Sequence, residues 1–106
     1  IRAGDAAVRV LEAGITLFPR YSQLRADYIS ARILAGQTET YGTRKSVADE
    51  LELLLTLRRP SPAIWQEAVS WLRSESKLPA DRQRKLEAAM SPLIRSNLDP
   101  EALAGR

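Results

Sequence analysis

Apolar residues recur three and four positions apart in five successive stretches of this chain, and each stretch is closed by proline, glycine or a polar loop. That period matches the 3.6-residue turn of an α-helix and not the two-residue alternation of a strand. The first stretch runs from about Asp5 to Phe18 and carries Val8, Leu11 and Ile15, with Asp5 placed as an N-cap and Pro19 as the stop. The second starts at Ser22, carries Leu24, Tyr28, Ala31 and Ala35 on one face, and meets Gly36 where a C-terminal glycine belongs. Residues 37–43 are polar, β-branched or glycine without a period, which predicts a loop.

The third stretch, about Arg44 to Arg58, holds Val47, Leu51, Leu54 and Leu55, and Leu53 and Leu57 widen its apolar face enough to imply burial on more than one side. Ser61-Pro62 then reads as a cap followed by a first-turn proline, opening a fourth helix to about Ser76 with Trp65, Ala68, Val69 and Leu72 inward. A fifth begins near Pro79 or Ala80 and carries Leu86, Ala89, Met90, Leu93 and Ile94. Pro92 should kink it or start another, and Asp99-Pro100 could cap a short last helix ending at Gly105. The predicted fold is all-α, with five or six helices in antiparallel neighbours because the connections are short.

Composition narrows function by removal. The chain has no cysteine and no histidine. It therefore lacks a thiolate nucleophile, a disulfide framework, a Cys or imidazole metal ligand, and an imidazole base near neutral pH. Chemistry on carboxylates, lysine or tyrosine alone remains, so the expectation is a non-catalytic protein with no cofactor and no metal. Asp49, Glu50 and Glu52 cluster on the third helix, but oxygen ligands converging from elsewhere cannot be named, and helix-surface carboxylates are the plainer reading.

The 106 residues are 44% hydrophobic and 27% charged, the balance of a folded chain and enough length for one domain. Sixteen Lys+Arg against 13 Asp+Glu give a net charge of +3, interleaved in sign instead of gathered in a stripe. Only Lys45, Lys77 and Lys85 are lysines, an arginine bias that suits interface ion pairs but that a GC-rich coding sequence would equally produce. The most basic neighbourhood, Arg73, Lys77, Arg82, Arg84 and Lys85, is interrupted by Glu75, Asp81 and Glu87, and Tyr41 has no aromatic partners around it. Nucleic-acid binding is disfavoured on both counts. No stretch approaches the roughly 18 apolar residues of a membrane helix, so no membrane insertion is expected. Nothing in the composition separates cytoplasm from periplasm. Because the chain opens at Ile1 inside a helical pattern, it is read as a piece of something longer.

Self-comparison adds a repeat. Pro19, Pro60 and Pro100 lie 41 and 40 residues apart, and Ala7, Ala48 and Ala88 each stand twelve residues before one of them. Leu24 and Tyr28 occupy the positions after Pro19 that Trp65 and Val69 occupy after Pro60. Small residues let helices approach closely, and a proline ends one helix pair so that the next can begin. If the alanines play that part, all three should lie at helix contacts.

With Ala7, Leu11, Gly14 and Pro19 in the order of a repeat's second helix, and Gly36 ending the first helix of the next, the chain resembles the tetratricopeptide family. The family period of 34 is stretched here by six or seven residues, placed after Gly36. Glu52 and Leu55 in the second copy, and Pro92 and Arg95 in the third, depart from its pattern. Another helical repeat or a non-repetitive bundle would share the same segments. The resemblance implies one domain over residues 1–106, a short right-handed α-solenoid cut from a longer array, serving as a protein–protein interaction scaffold.

It also implies a concave face made by the first helix of each pair, holding another protein or peptide. Gln23, Ala26, Ser30 and Ile33 map to that face in one copy, and Ile64, Glu67 and Trp71 in the next. Gln23, Ser30, Glu67 and Trp71 are the partner-binding candidates, Trp71 as an aromatic anchor if exposed and as core if not. The alternative is a helical accessory domain of a larger enzyme or of a cell-surface polysaccharide synthesis or export assembly, by family analogy. A solenoid end left uncovered also predicts self-association through the first helix.

Overall fold

In a computed structural model the chain is all-helical, with five helices and, among the described residues, no strand beyond one isolated bridge between Tyr41 and Arg44. The structure describes residues 4–57 and 59–98, with side chains to Arg95. The helices are α1 (Asp5–Leu17), α2 (Ser22–Ala35), α3 (Val47–Thr56), α4 (Ala63–Ser74) and α5 (Ala80–Leu98). They fall into two compact units, Ile1–Ser61 and Pro62–Arg106, divided within the Pro60-Ser61-Pro62 stretch.

In the first unit α2 is central, with α1 on one side and α3 on another. Val8, Tyr28, Ala31 and Ala35 form a buried cluster against which Leu11 and Ile15 pack. Gly4 lies near Ala35 while Gly14 lies near Leu24, so α1 and α2 run antiparallel. Gly14 is where the approach is tightest: a Cβ there would stand 3.1 Å from Leu24 Cδ2. The small residue expected at this position does let the helices close.

Helix ends follow local chemistry with some exchange of roles. Gly36 takes φ 70° and closes α2, its N–H donating to the Ile33 carbonyl while the Gln37 N–H donates to that of Arg32. This double bond pattern satisfies carbonyls that the helix leaves open, and only glycine takes that conformation without strain. Ser46 caps α3 by accepting from the Asp49 N–H at 3.2 Å, so α3 starts three residues later than the periodicity suggested. It ends at Thr56, and Arg58 lies outside the described residues. Gly4, Tyr21 and Pro62 stand at the N-cap positions expected for Asp5, Ser22 and Ser61, each a shift of one residue.

In the second unit α4 and α5 pack together, with Trp65, Ala68, Trp71, Leu72, Leu86 and Met90 buried. α5 runs through Pro92 instead of restarting there. Pro92 and Ala88 are both exposed, so the Ala88 carbonyl that loses its intrahelical donor faces water. The expected last helix at Asp99-Pro100 lies outside the described residues.

The three alanines of the forty-residue spacing do not share an environment. Ala48 is buried, whereas Ala7 and Ala88 are exposed. Ala88 is exposed although its hairpin neighbour α4 is present, so it does not act as a close-approach residue in that pair. The recurrence of alanine before proline is thus not the packing device that its spacing suggested.

Candidate functional site

The most organised polar structure in the first unit is the 37–46 connection, and one buried arginine builds it. Arg32, on α2, is 0% exposed. Its Nε donates to the Gln37 carbonyl at 2.7 Å, one terminal nitrogen to the Glu39 carbonyl at 3.1 Å and the other to the Lys45 carbonyl. A guanidinium offers five N–H donors in a fixed fork, so one side chain can hold three carbonyls at both ends of a loop. Its face lies 5.5 Å from the Tyr28 ring centre. Burial pulls the Arg32 pKa down from its ordinary value, because desolvation disfavours the charged form.

The loop is also tied to α1. Arg44 donates to both oxygens of Glu12, at 2.7 and 2.9 Å, and to Gln37 Oε1 at 2.9 Å. Tyr28 Oη donates to the same Glu12 at 2.8 Å, and the Gln37 amide donates to Asp5. The Arg44 guanidinium holds the Glu12 carboxyl below its usual range, and Glu12 in turn raises Arg44. Burial, then the Glu12 hydrogen bond, pushes the Tyr28 hydroxyl up to about 12. Arg25 bridges the other side, donating to the Pro19 carbonyl at 2.6 Å and to the nearly buried Glu50 at 2.8 Å. Among the described residues no buried side-chain nitrogen or oxygen lacks a partner.

What this network presents is Tyr41. Tyr41 and Arg44 exchange backbone hydrogen bonds at 3.0 and 2.9 Å, and Gly42 supplies φ 57° at the tip. The Tyr41 side chain projects from this turn at 80% exposure. It stands on the rim of two clefts. One, of about 670 Å³, is walled by Ile15, Pro19, Tyr28, Lys45 and Leu53; the other, of about 430 Å³, lies towards Val8, Arg9 and Thr38. An aromatic ring on a loop fixed by charged hydrogen bonds, above part-apolar clefts, can take up a partner without first being ordered. The carboxylates and guanidiniums of this network are paired with one another or with backbone carbonyls.

The candidates read from the repeat are placed differently. Gln23 donates to Asp27 at 3.0 Å and accepts from the Ser61 N–H at 2.7 Å, tying the start of α2 to the end of the first unit. Ser30, one heptad along α2, is half-buried, and between them Ala26 is buried. Glu67 and Trp71 lie one turn apart on α4, Glu67 half-buried. Trp71 is 5% exposed, so of its two readings the burial fits core packing: a ring of that size one step off an apolar stripe still falls within the buried arc of a helix. Ile64 is buried as well.

Sequence reasoning passed over Arg32, Glu12 and Arg44, and weighed Tyr41 only as a base-stacking ring. The one available signal was an arginine on the apolar side of α2, between Ala31 and Ala35, shortly before a loop rich in carbonyls and poor in period. Of the basic neighbourhood, Arg73 pairs with Glu87 at 2.8 Å and lowers its pKa, and Arg84 pairs with Asp81. Among the described residues no three His, Cys, Asp or Glu gather as a metal site, and no helix is long and apolar enough to cross a membrane. No family model matches the chain, and neither curated proteins nor solved structures give a significant match.

Proposed function

We propose that this chain is a non-catalytic protein-binding segment, a scaffold piece of a helical protein built from antiparallel hairpins in the manner of tetratricopeptide repeats. The observation that carries it is Tyr41, exposed on a loop that Arg32 and Arg44 hold in place above two clefts. Interface energy concentrates in a few aromatic and arginine side chains, and an anchor whose backbone is already held loses less entropy when it is buried. The absence of histidine and cysteine and the structural engagement of the charged groups around Tyr41 agree with binding in place of turnover. The hairpins and the tight Gly14–Leu24 approach support the family likeness; the alanine spacing does not.

The partner is a protein or peptide, seated against Tyr41 and not on the Gln23–Ser30 or Glu67–Trp71 faces. Peptides selected from a random displayed library on the immobilised chain should lose at least tenfold in affinity on Tyr41→Ala, with thermal melting unchanged. Selection that yields only peptides indifferent to Tyr41→Ala and Lys45→Glu would overturn the reading.

A further inference from the structure

A second exposed surface lies on α1, away from Tyr41. α1 has two apolar faces. Val8, Leu11 and Ile15 face the core, and Ala6, Val10, Ala13 and Leu17 form a row on the opposite side, spaced four, three and four apart. All four of these are exposed, Val10 at 71% and Leu17 at 74%, and Phe18 and Tyr21 continue the exposed apolar surface into the following turn. A surface helix of a self-sufficient hairpin needs only one such face.

We infer that this row pairs with the same row of a second copy, α1 against α1, antiparallel about a two-fold axis. The argument is in the order of sizes. The spacing is that of coiled-coil core positions, with the large residues Val10 and Leu17 at one kind and the small Ala6 and Ala13 at the other. A parallel pair would set Val10 on Val10 and Ala13 on Ala13, alternating crowded and empty layers. An antiparallel pair centred between Leu11 and Glu12 sets Val10 against Ala13 and Leu17 against Ala6, so every layer holds one large and one small side chain.

The same two-fold makes the contact isologous and closed, which yields dimers and not filaments. Flanking positions agree: the exposed Ala7 on one side leaves room for close approach, and on the other Arg9 meets Thr16 of the second copy instead of another arginine. Val10, Leu17, Phe18 and Tyr21 offer roughly 400–500 Å² per copy, short of the ~800 Å² per partner of a standard stable interface, so the dimer is weak and exchanging.

Sedimentation equilibrium of the chain across a micromolar-to-millimolar range tests this directly. The expected result is reversible monomer–dimer exchange, converted to monomer by Val10→Glu with Leu17→Glu while helix content and melting are kept, because both side chains are solvent-facing. Monomer at every concentration overturns the proposal, as does a dimer that survives the double substitution. The register has its own test: Ala6→Lys with Ala13→Lys should also give monomer. Mixing the acidic and the basic variant should then restore a heterodimer, because the antiparallel register sets each new carboxylate of one copy against a new ammonium of the other. Failure to recover it overturns the antiparallel arrangement. Tyr41→Ala leaves dimerisation unchanged, which keeps this surface distinguishable from the proposed peptide site.

Discussion

Arg32 sits one helical turn beyond Tyr28 on α2, its guanidinium carbon 5.5 Å from the ring centre, and between them the two residues connect the loop, α1 and α2. Arg32 fixes three loop carbonyls while Tyr28 donates to the Glu12 that holds Arg44. Replacing Arg32 with methionine keeps much of the volume but orphans those carbonyls. We expect a loss of about 2–4 kcal/mol in denaturant unfolding. Arg32→Lys should recover little of it, because an ammonium cannot reach three acceptors spread over both ends of the loop.

Gly36→Ala should cost about 1 kcal/mol, since φ 70° must be kept for the two C-terminal hydrogen bonds of α2. Gly14 answers to space instead of conformation. Ala at Gly14 gains helix propensity but presses on Leu24, so its effect should be small, whereas Gly14→Val should cost about 1–3 kcal/mol. Melting curves of the three variants give that order.

Trp71→Ala separates core from anchor. With the indole buried, we expect a loss of about 3–5 kcal/mol and a marked fall in Tm, with any partner affinity lost only as far as folding is lost. Unchanged melting would place Trp71 back at a surface.

Stability should fall at both ends of the pH scale for identifiable reasons. Tyr28 has a folded pKa of about 12, above its ordinary value of 10, so folding favours the neutral hydroxyl. Its contribution is complete below about pH 10 and is lost as pH rises towards 12. Glu12 is shifted the other way by Arg44, so its contribution holds above the ordinary carboxylate range and is lost as pH falls through its lowered value. Tyr28→Phe should flatten the alkaline limb of a stability–pH curve and remove a high-pH step from the tyrosinate absorbance titration. Glu12→Gln should flatten the acid limb, and added salt should shrink the Glu12 effect because that carboxylate is partly exposed.

Periodicity, proline and glycine were enough to read the five helices, their order, and the α2 terminus at Gly36, because those features depend on neighbours a few residues away in the chain. The close approach at Gly14 came from the family resemblance, whose second helix places a small residue there so that two helices can meet. What each face of those helices meets was not legible. Ala7 and Ala88 match Ala48 in spacing and differ in burial, and Trp71 lies off its stripe yet inside the core. The Arg32 fork, the Glu12–Arg44 pair 32 residues apart and the exposure of Tyr41 depend on chain segments distant in sequence meeting in space. A local pattern fixes the direction a side chain points; only the packed structure decides what stands there to receive it.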